Sequence, residues 1–186
     1  MPKKTIPTVK TLQSVMSNNV RLKTVKSTHM LGRAPKEAFD ELTREASRLL
    51  DAPLALLTLV DEYDDFVISQ VGLPDPMASN QRITDIPTFC QLTIAQAEPL
   101  AINDTRDVPM LQIFPSVRNN GVRAHLGIPL FVDGQAIGNC CVLDFRPRVW
   151  TAEDIATLTG LAEVAMQRLS VARAQLDPAE DVSPTM

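Results

Sequence analysis

The chain has 186 residues, 45% hydrophobic and 22% charged, with a net charge of −4 and a pI near 5.2. That mix suits one globular domain with its own core and excludes a disordered or fibrous chain. The 18 lysines and arginines are scattered among 22 acids, so no basic stripe marks a nucleic-acid surface. No run approaches the roughly 18 apolar residues that span a bilayer. The basic start MPKKTIPTVK lacks the apolar stretch of a secretion signal. Three cysteines, an odd number, read as free thiols in a reducing compartment. The expectation is a cytoplasmic protein that binds neither nucleic acid nor membrane.

Residues 1–8 read as a flexible N-terminus, and a single domain is expected over 9–175. Val9, Leu12, Met16 and Val20 form a first helical stripe. Pro35, favoured in a first turn, opens PKEAFDELTREASRLL, with Phe39, Leu42, Ala46 and Leu49 on one side. LALLTLV (54–60) is apolar on both faces, as a central strand covered on both sides would be. DFVISQVG returns after the turn EYDD. Residues 72–121 form a long irregular insert, expected to cover one face of a sheet. In VRAHLGIPLFV (122–132), Ala124, Leu126, Ile128, Leu130 and Val132 alternate with His125, Gly127, Pro129 and Phe131. Asp133-Gly134 is a hairpin turn, and QAIGNCCVLDF (135–145) returns. The last helix starts at Thr151, with Asp154 placed for a capping box. Ile155, Leu158, Ala162, Ala165, Leu169 and Ala172 keep heptad spacing, while Leu161, Val164 and Met166 offer a second apolar side. Residues 176–186 read as a disordered tail. The fold class is α+β, an antiparallel sheet with N- and C-terminal helices on one face and the insert on the other.

Several blocks resemble, in order, the GAF domain found ahead of bacterial diguanylate cyclases and histidine kinases. They are AFDELTREASRLLDAPLALLTLVDE, RITDIPTFCQLTI, PLAINDTRDVPMLQIFPSV, VRAHLGIPL and GQAIGNCCVLDFRPRVWTAED. The resemblance covers residues 35–170. It implies a sheet with a ligand cavity under the insert, terminal helices that pair in a dimer, and a sensory role. It also places Phe89, Cys90, Asp104, Phe114, His125 and Asn139 around that cavity. The chain departs from the family pattern at Leu92, Val108, Phe114 and His125, where polar or aromatic-hydroxyl residues are common. Apolar residues at the cavity mouth point away from a conventional polar ligand.

The chemistry of each candidate has two readings. Cys90 is either a buried structural thiol or a reactive group, and thiolate chemistry wants nearby positive charge, absent in the local sequence. Bilin-binding relatives carry a His after the attaching Cys, where this chain has Gln91. His125 should face the cavity. There it can hold a ligand, ligate haem, titrate near pH 6–7, or bond a backbone carbonyl. Asp104 suits a ligand amine or a helix cap. Asn103, Thr105 and Asn139 are softer candidates of the same kind. Cys140 and Cys141 point to opposite faces of their strand. Zinc is not supported, for want of four clustered ligands, and His29 is expected at the surface.

The functional expectation is a stand-alone, non-enzymatic GAF module that binds a small, rather apolar ligand. It would signal through dimerised terminal helices to a two-component or cyclic-di-GMP enzyme in trans. One alternative is a ligand-free docking scaffold with its cavity collapsed around Leu92, Phe114 and Phe131. A more distant one is a thiol-dependent redox enzyme. No cofactor is assigned, haem and bilin being conceivable but not favoured.

Overall fold

The apolar run LALLTLV becomes the central strand β1 (Leu54–Val60), with all seven residues buried. The structure is a computed structural model that describes residues 5–32 and 36–176. Pro35, residues 1–4 and residues 177–186 lie outside the described residues, and with them most of the readings made for the two chain ends. Within the described part, Ile6 packs against the core and Thr8 caps the first helix.

β1 pairs with β2 (Asp65–Val71) on one side and with β6 (Gln135–Asp144) on the other. β6 pairs with β5 (Ala124–Val132) through Asp133 and Gly134, both at positive φ, 49° and 75°. A two-residue hairpin turn of this kind needs residues that tolerate left-handed backbone, and Asp-Gly supplies them. The three segments expected to be adjacent core strands are therefore adjacent. Two short strands complete a wholly antiparallel sheet. β3 (Arg82–Ile83) edges β2 and β4 (Leu100–Ile102) edges β5, giving the order β3-β2-β1-β6-β5-β4.

Both edge strands come from the segment expected to be irregular. That insert also holds α4 (Met77–Asn80), α5 (Phe89–Gln96), two 3₁₀ turns (Thr105–Asp107 and Pro109–Ile113) and α6 (Pro115–Arg118). Three helices, α1 (Val9–Met16), α2 (Asn19–Ser27) and α3 (Glu37–Leu49), precede β1. α5 carries no amphipathic signature because residues Phe89 to Ile94 are all buried, and a helix covered all round has no polar stripe. Its start is fixed by a capping box. The Thr88 hydroxyl accepts from the Gln91 amide at 3.1 Å, and the Gln91 side chain accepts from the Thr88 amide at 3.4 Å.

The helical layer on the opposite face is made by α3 (Glu37–Leu49) and α7 (Ala152–Leu176). Phe39, Leu42 and Ala46 join Leu158, Ala162, Ala165 and Leu169 over Leu57, Leu126, Ile128 and Val142. Each leucine-sized side chain buried this way contributes roughly 1.5–3 kcal/mol, so this layer dominates the stability of the fold. Leu49, expected on the α3 stripe, is half exposed because the helix ends there, and Leu50 fills the core instead. The heptad seam needs a larger correction. Leu158, Ala162, Ala165, Leu169 and Ala172 are all buried within their own chain, and Leu161, Val164 and Met166 pack against the same core.

The first stripe also divides. α1 (Val9–Met16) ends, and the Asn18 side chain accepts from the amides of Val20 and Arg21, both at 3.0 Å, to start α2 (Asn19–Ser27). Val20 falls off the stripe and is 60% exposed. Leu12 and Met16 pack on the insert side with α5, so the first helix does not share the face of α7. The buried Arg21 guanidinium locks this joint to the end of β1. It donates to the carbonyls of Val15, Met16, Val60 and Asp61 at 3.1, 2.9, 2.6 and 3.1 Å.

Candidate functional site

Strand alternation sends Leu126, Ile128 and Leu130 of β5 toward α7 and His125 toward the insert. The His125 ring is fully buried and stacks on Phe89, with centroids 4.7 Å apart and planes at 14°; Phe89 in turn meets Phe114 at 5.5 Å. Neither His125 nitrogen has a hydrogen-bond partner among the described residues, so the bond to a backbone carbonyl considered above is not formed. Burial without a partner pushes its pKa down to about 3, which keeps the ring neutral and removes the titration expected near pH 6–7. Asn139 of β6 lies on the same face, also fully buried, with both amide atoms unpartnered. Gly127 sits among these groups. A Cβ there would stand 2.5 Å from His125 Cε1, 2.6 Å from Thr93 Oγ1 and 2.9 Å from Asn139 Oδ1, so only glycine fits.

Cys90, near the N-terminus of α5, completes the group. The Cys141 thiol foremost, with the Thr58 hydroxyl and the Asn139 amide, surrounds its sulfur with polar groups and holds its pKa below the ordinary thiol value. The same interaction, with burial, pushes Cys141 well up. Asp65, at the start of β2, is buried next to Cys90 with both carboxylate oxygens unpartnered, and burial raises its pKa well above the usual carboxylate value. Cys140 faces α7 among apolar side chains and is pushed up to about 12 by burial. All three cysteines are free.

Above this polar floor lies a cavity of about 220 Å³ between β1 and β6 below and the insert above. Leu54, Leu56, Phe89, Val122 and Leu143 form its buried apolar walls, and Thr88, Cys90 and Cys141 are its buried polar lining. The exposed lining residues Pro74, Asp85, Asn120 and Phe145 mark its mouth. Phe89 and Cys90 line the cavity, while His125, Asn139 and Phe114 lie outside its lining. Phe131 does not fill it. A β-bulge between Leu130 and Phe131 carries that ring to the hairpin end, 39% exposed.

Asp104 is elsewhere. It caps the first 3₁₀ turn, accepting from the Arg106 amide at 3.0 Å, and takes a two-pronged ion pair from Arg123 at 3.0 and 2.8 Å. These partners, Arg123 foremost, hold its carboxyl far below the usual range. Asn103 and Thr105 are likewise structural, accepting from the Trp150 amide and donating to the Val122 carbonyl. Neither tetrapyrrole fits the site. Phe89 covers the fully buried His125 ring, and the cavity falls below the ~300 Å³ at which ordinary ligand pockets begin. Among the described residues, no group of three or more His, Cys, Asp or Glu is placed to hold a metal ion, and no helix is long and apolar enough to cross a membrane.

Sequence reasoning missed Asp65, Thr58 and Cys141 as members of this cluster. Thr58 was the available signal, a lone polar residue inside LALLTLV that shares the parity of Leu54 and Leu56.

The sequence profile of the GAF domain matches residues 34–169. The chain belongs to the GAF domain family, a family of sensory and regulatory modules. A cyclic di-GMP phosphodiesterase of Pseudomonas aeruginosa is 27% identical over 147 residues, 77% of this chain, and the chain spans 24% of that relative's length. The GAF domain of a phosphoenolpyruvate-protein phosphotransferase from Coxiella burnetii superposes with a TM-score of 0.62 at 21% identity, covering 85% of this chain and 98% of that one. Free methionine-R-sulfoxide reductase from Neisseria meningitidis, solved with its substrate, reaches 0.59 at 16% identity, covering 91% and 96%. Likeness at this level of identity defines the fold alone.

Proposed function

We propose that the chain is a sensory module that binds, without converting, a small and mainly apolar ligand in the cavity between the sheet and the insert. The observation that carries this reading is the cavity itself. It is apolar on its deep walls, has thiols and a hydroxyl at its floor, and is small enough that its ligand is smaller than a typical drug. A physical route for output is at hand in β6. Cys141 and Leu143 line the cavity while their neighbours Cys140 and Val142 pack under α7, so a shift of this strand is felt by the terminal helix. The 27% identical relative supports a cyclic-di-GMP enzyme as the recipient of the signal. Free buried thiols support a reducing, cytoplasmic setting. Self-association is retained as a proposal for the solvent side of α7, where Val171 is exposed. A monomer by light scattering would end it.

Native mass spectrometry of the purified chain, followed by thermal-shift titration with indole and with short-chain alcohols, tests the ligand reading. The expected result is a copurifying small molecule, or a dose-dependent rise in Tm that vanishes in Leu56→Trp, where the new ring fills the cavity. No copurifying mass and no shift with any probe would favour the docking scaffold instead.

A further inference from the structure

The three cysteines are not equivalent. Cys140 is enclosed by the apolar layer under α7, whereas Cys90 on α5 and Cys141 on β6 come from two elements that pack together and line one cavity with an open mouth. Cys141 pairs with Gly127, over which Thr93 of α5 sits one turn on from Cys90, and the two thiols lie close enough for each to shift the other's acidity. An isolated structural thiol needs none of this. Two thiols on neighbouring elements that line one small cavity, both reachable by a small molecule through its mouth, make a pair arranged for two-electron oxidation.

We propose that Cys90 and Cys141 form a dithiol switch, oxidised to a disulfide by a small hydroperoxide that enters through the cavity. The Cys90 thiolate attacks one oxygen of ROOH, the O–O bond breaks, and Cys90 becomes a sulfenic acid. The departing alkoxide takes up the proton released by the Cys90 thiol and leaves as ROH. Cys141 then attacks the sulfenyl sulfur, an S–S bond forms as the S–O bond breaks, and the hydroxide leaves with the Cys141 proton as water. The two cysteines lose two electrons and the peroxide gains them. The product ties α5 to β6 across the cavity floor and removes the Cys141 S–H that supports Cys90. The apolar walls favour an alkyl hydroperoxide over hydrogen peroxide. Nothing in this step depends on the sensory ligand.

The 186-residue chain, reduced and freed of reductant, is treated with equimolar cumene hydroperoxide or hydrogen peroxide and digested without reduction for mass spectrometry. The expected product is a peptide pair linked through Cys90 and Cys141, lighter by two hydrogens and restored by dithiothreitol. Cys140→Ala should behave as wild type. Cys141→Ala should stop at a Cys90 sulfenic acid that dimedone traps, and Cys90→Ala should consume peroxide at least ~tenfold more slowly. Leu56→Trp should slow the reaction in proportion to the cavity it fills. The wild-type digest decides the matter even where a variant fails to fold. Absence of the linked pair, or oxidation that falls on Cys140, overturns the proposal, whereas a missing ligand in the thermal-shift titration leaves this readout untouched.

Discussion

The two faces of the sheet are covered by layers of similar extent but finished to different standards. Under α3 and α7 the cluster is apolar throughout, and the polar groups admitted beside it, Thr43 and Ser69, bond one another at 2.8 Å. Under the insert, Phe89, Leu92 and Phe114 pack around His125, Asn139, Asp65 and Gln91, each of which keeps at least one buried polar atom without a partner. Each such atom costs about 1–3 kcal/mol. The helical face therefore supplies stability that the insert face gives up, and it gives it up around the cavity. That is the pattern expected where a chain keeps a site for use and relies on the rest of its core to hold the fold.

The comparison breaks first at α7. Leu158→Glu or Leu169→Glu places a carboxylate in the apolar layer. The expected loss is on the order of 5 kcal/mol, comparable with the whole stability of many domains. Circular dichroism should show an unfolded or barely folded chain. A well-folded variant monomer would mean that the seam faces a partner and that the layer described here is not closed.

His125 offers a test on the other face. Its folded pKa, about 3, lies below the 6.5 of an ordinary histidine, so between these values the unfolded chain binds the extra proton. Stability from keeping the ring neutral is fully present above pH 6.5 and drains as pH falls toward 3, by up to about 1.4 kcal/mol per pH unit. His125→Phe keeps the stack on Phe89 and removes the proton site. Its Tm should fall less steeply than that of wild type across this window, and the two curves should run parallel above pH 7. Parallel curves at acid pH would show that the ring has a proton acceptor in the native state.

How much of this was legible in the sequence depended on which physical signal each residue carried. The helical face announced itself through period: Ala124, Leu126, Ile128 and Leu130 alternate, and α7 repeats. The same parity turns His125 to the opposite face, whereas Asn139 is placed near the cavity only by the family resemblance. The insert reads as irregular because β3 and β4 have two and three residues, too short to alternate, and because α5 is buried all round. Asp104 was misplaced because its charge suits a ligand and a cap equally well. Only the return of Arg123, just before β5 and 19 residues later, decides for the cap. Asp65 gives no signal in the sequence because a carboxylate beside a turn is ordinarily solvated, and its burial beside Cys90 is a matter of tertiary packing. The heptad of α7 leaves open whether it faces the core or a partner, because a single helix cannot reveal whether the surface it needs lies in its own chain.

The smallest expected effect is local. Thr88 begins α5, and the capping box it forms with Gln91 fixes the first turn, in which Phe89 and Cys90 lie. Thr88→Ala removes one capping acceptor, and the cost should be about 1 kcal/mol, a shift of a few degrees in Tm at most. If the insert face is the adaptable half of the molecule, that loss should be felt at the site more than across the fold. The first turn of α5 frays, the Cys90 thiol leaves its polar surroundings, and its reaction rate with a small disulfide reagent changes several-fold, while the rate at Cys140 does not. Thr88→Ser, which retains the hydroxyl, should restore both the cap and the wild-type rate. A uniform change at Cys90 and Cys140 together would show that the two faces open as one unit and that their difference in finish has no consequence for motion.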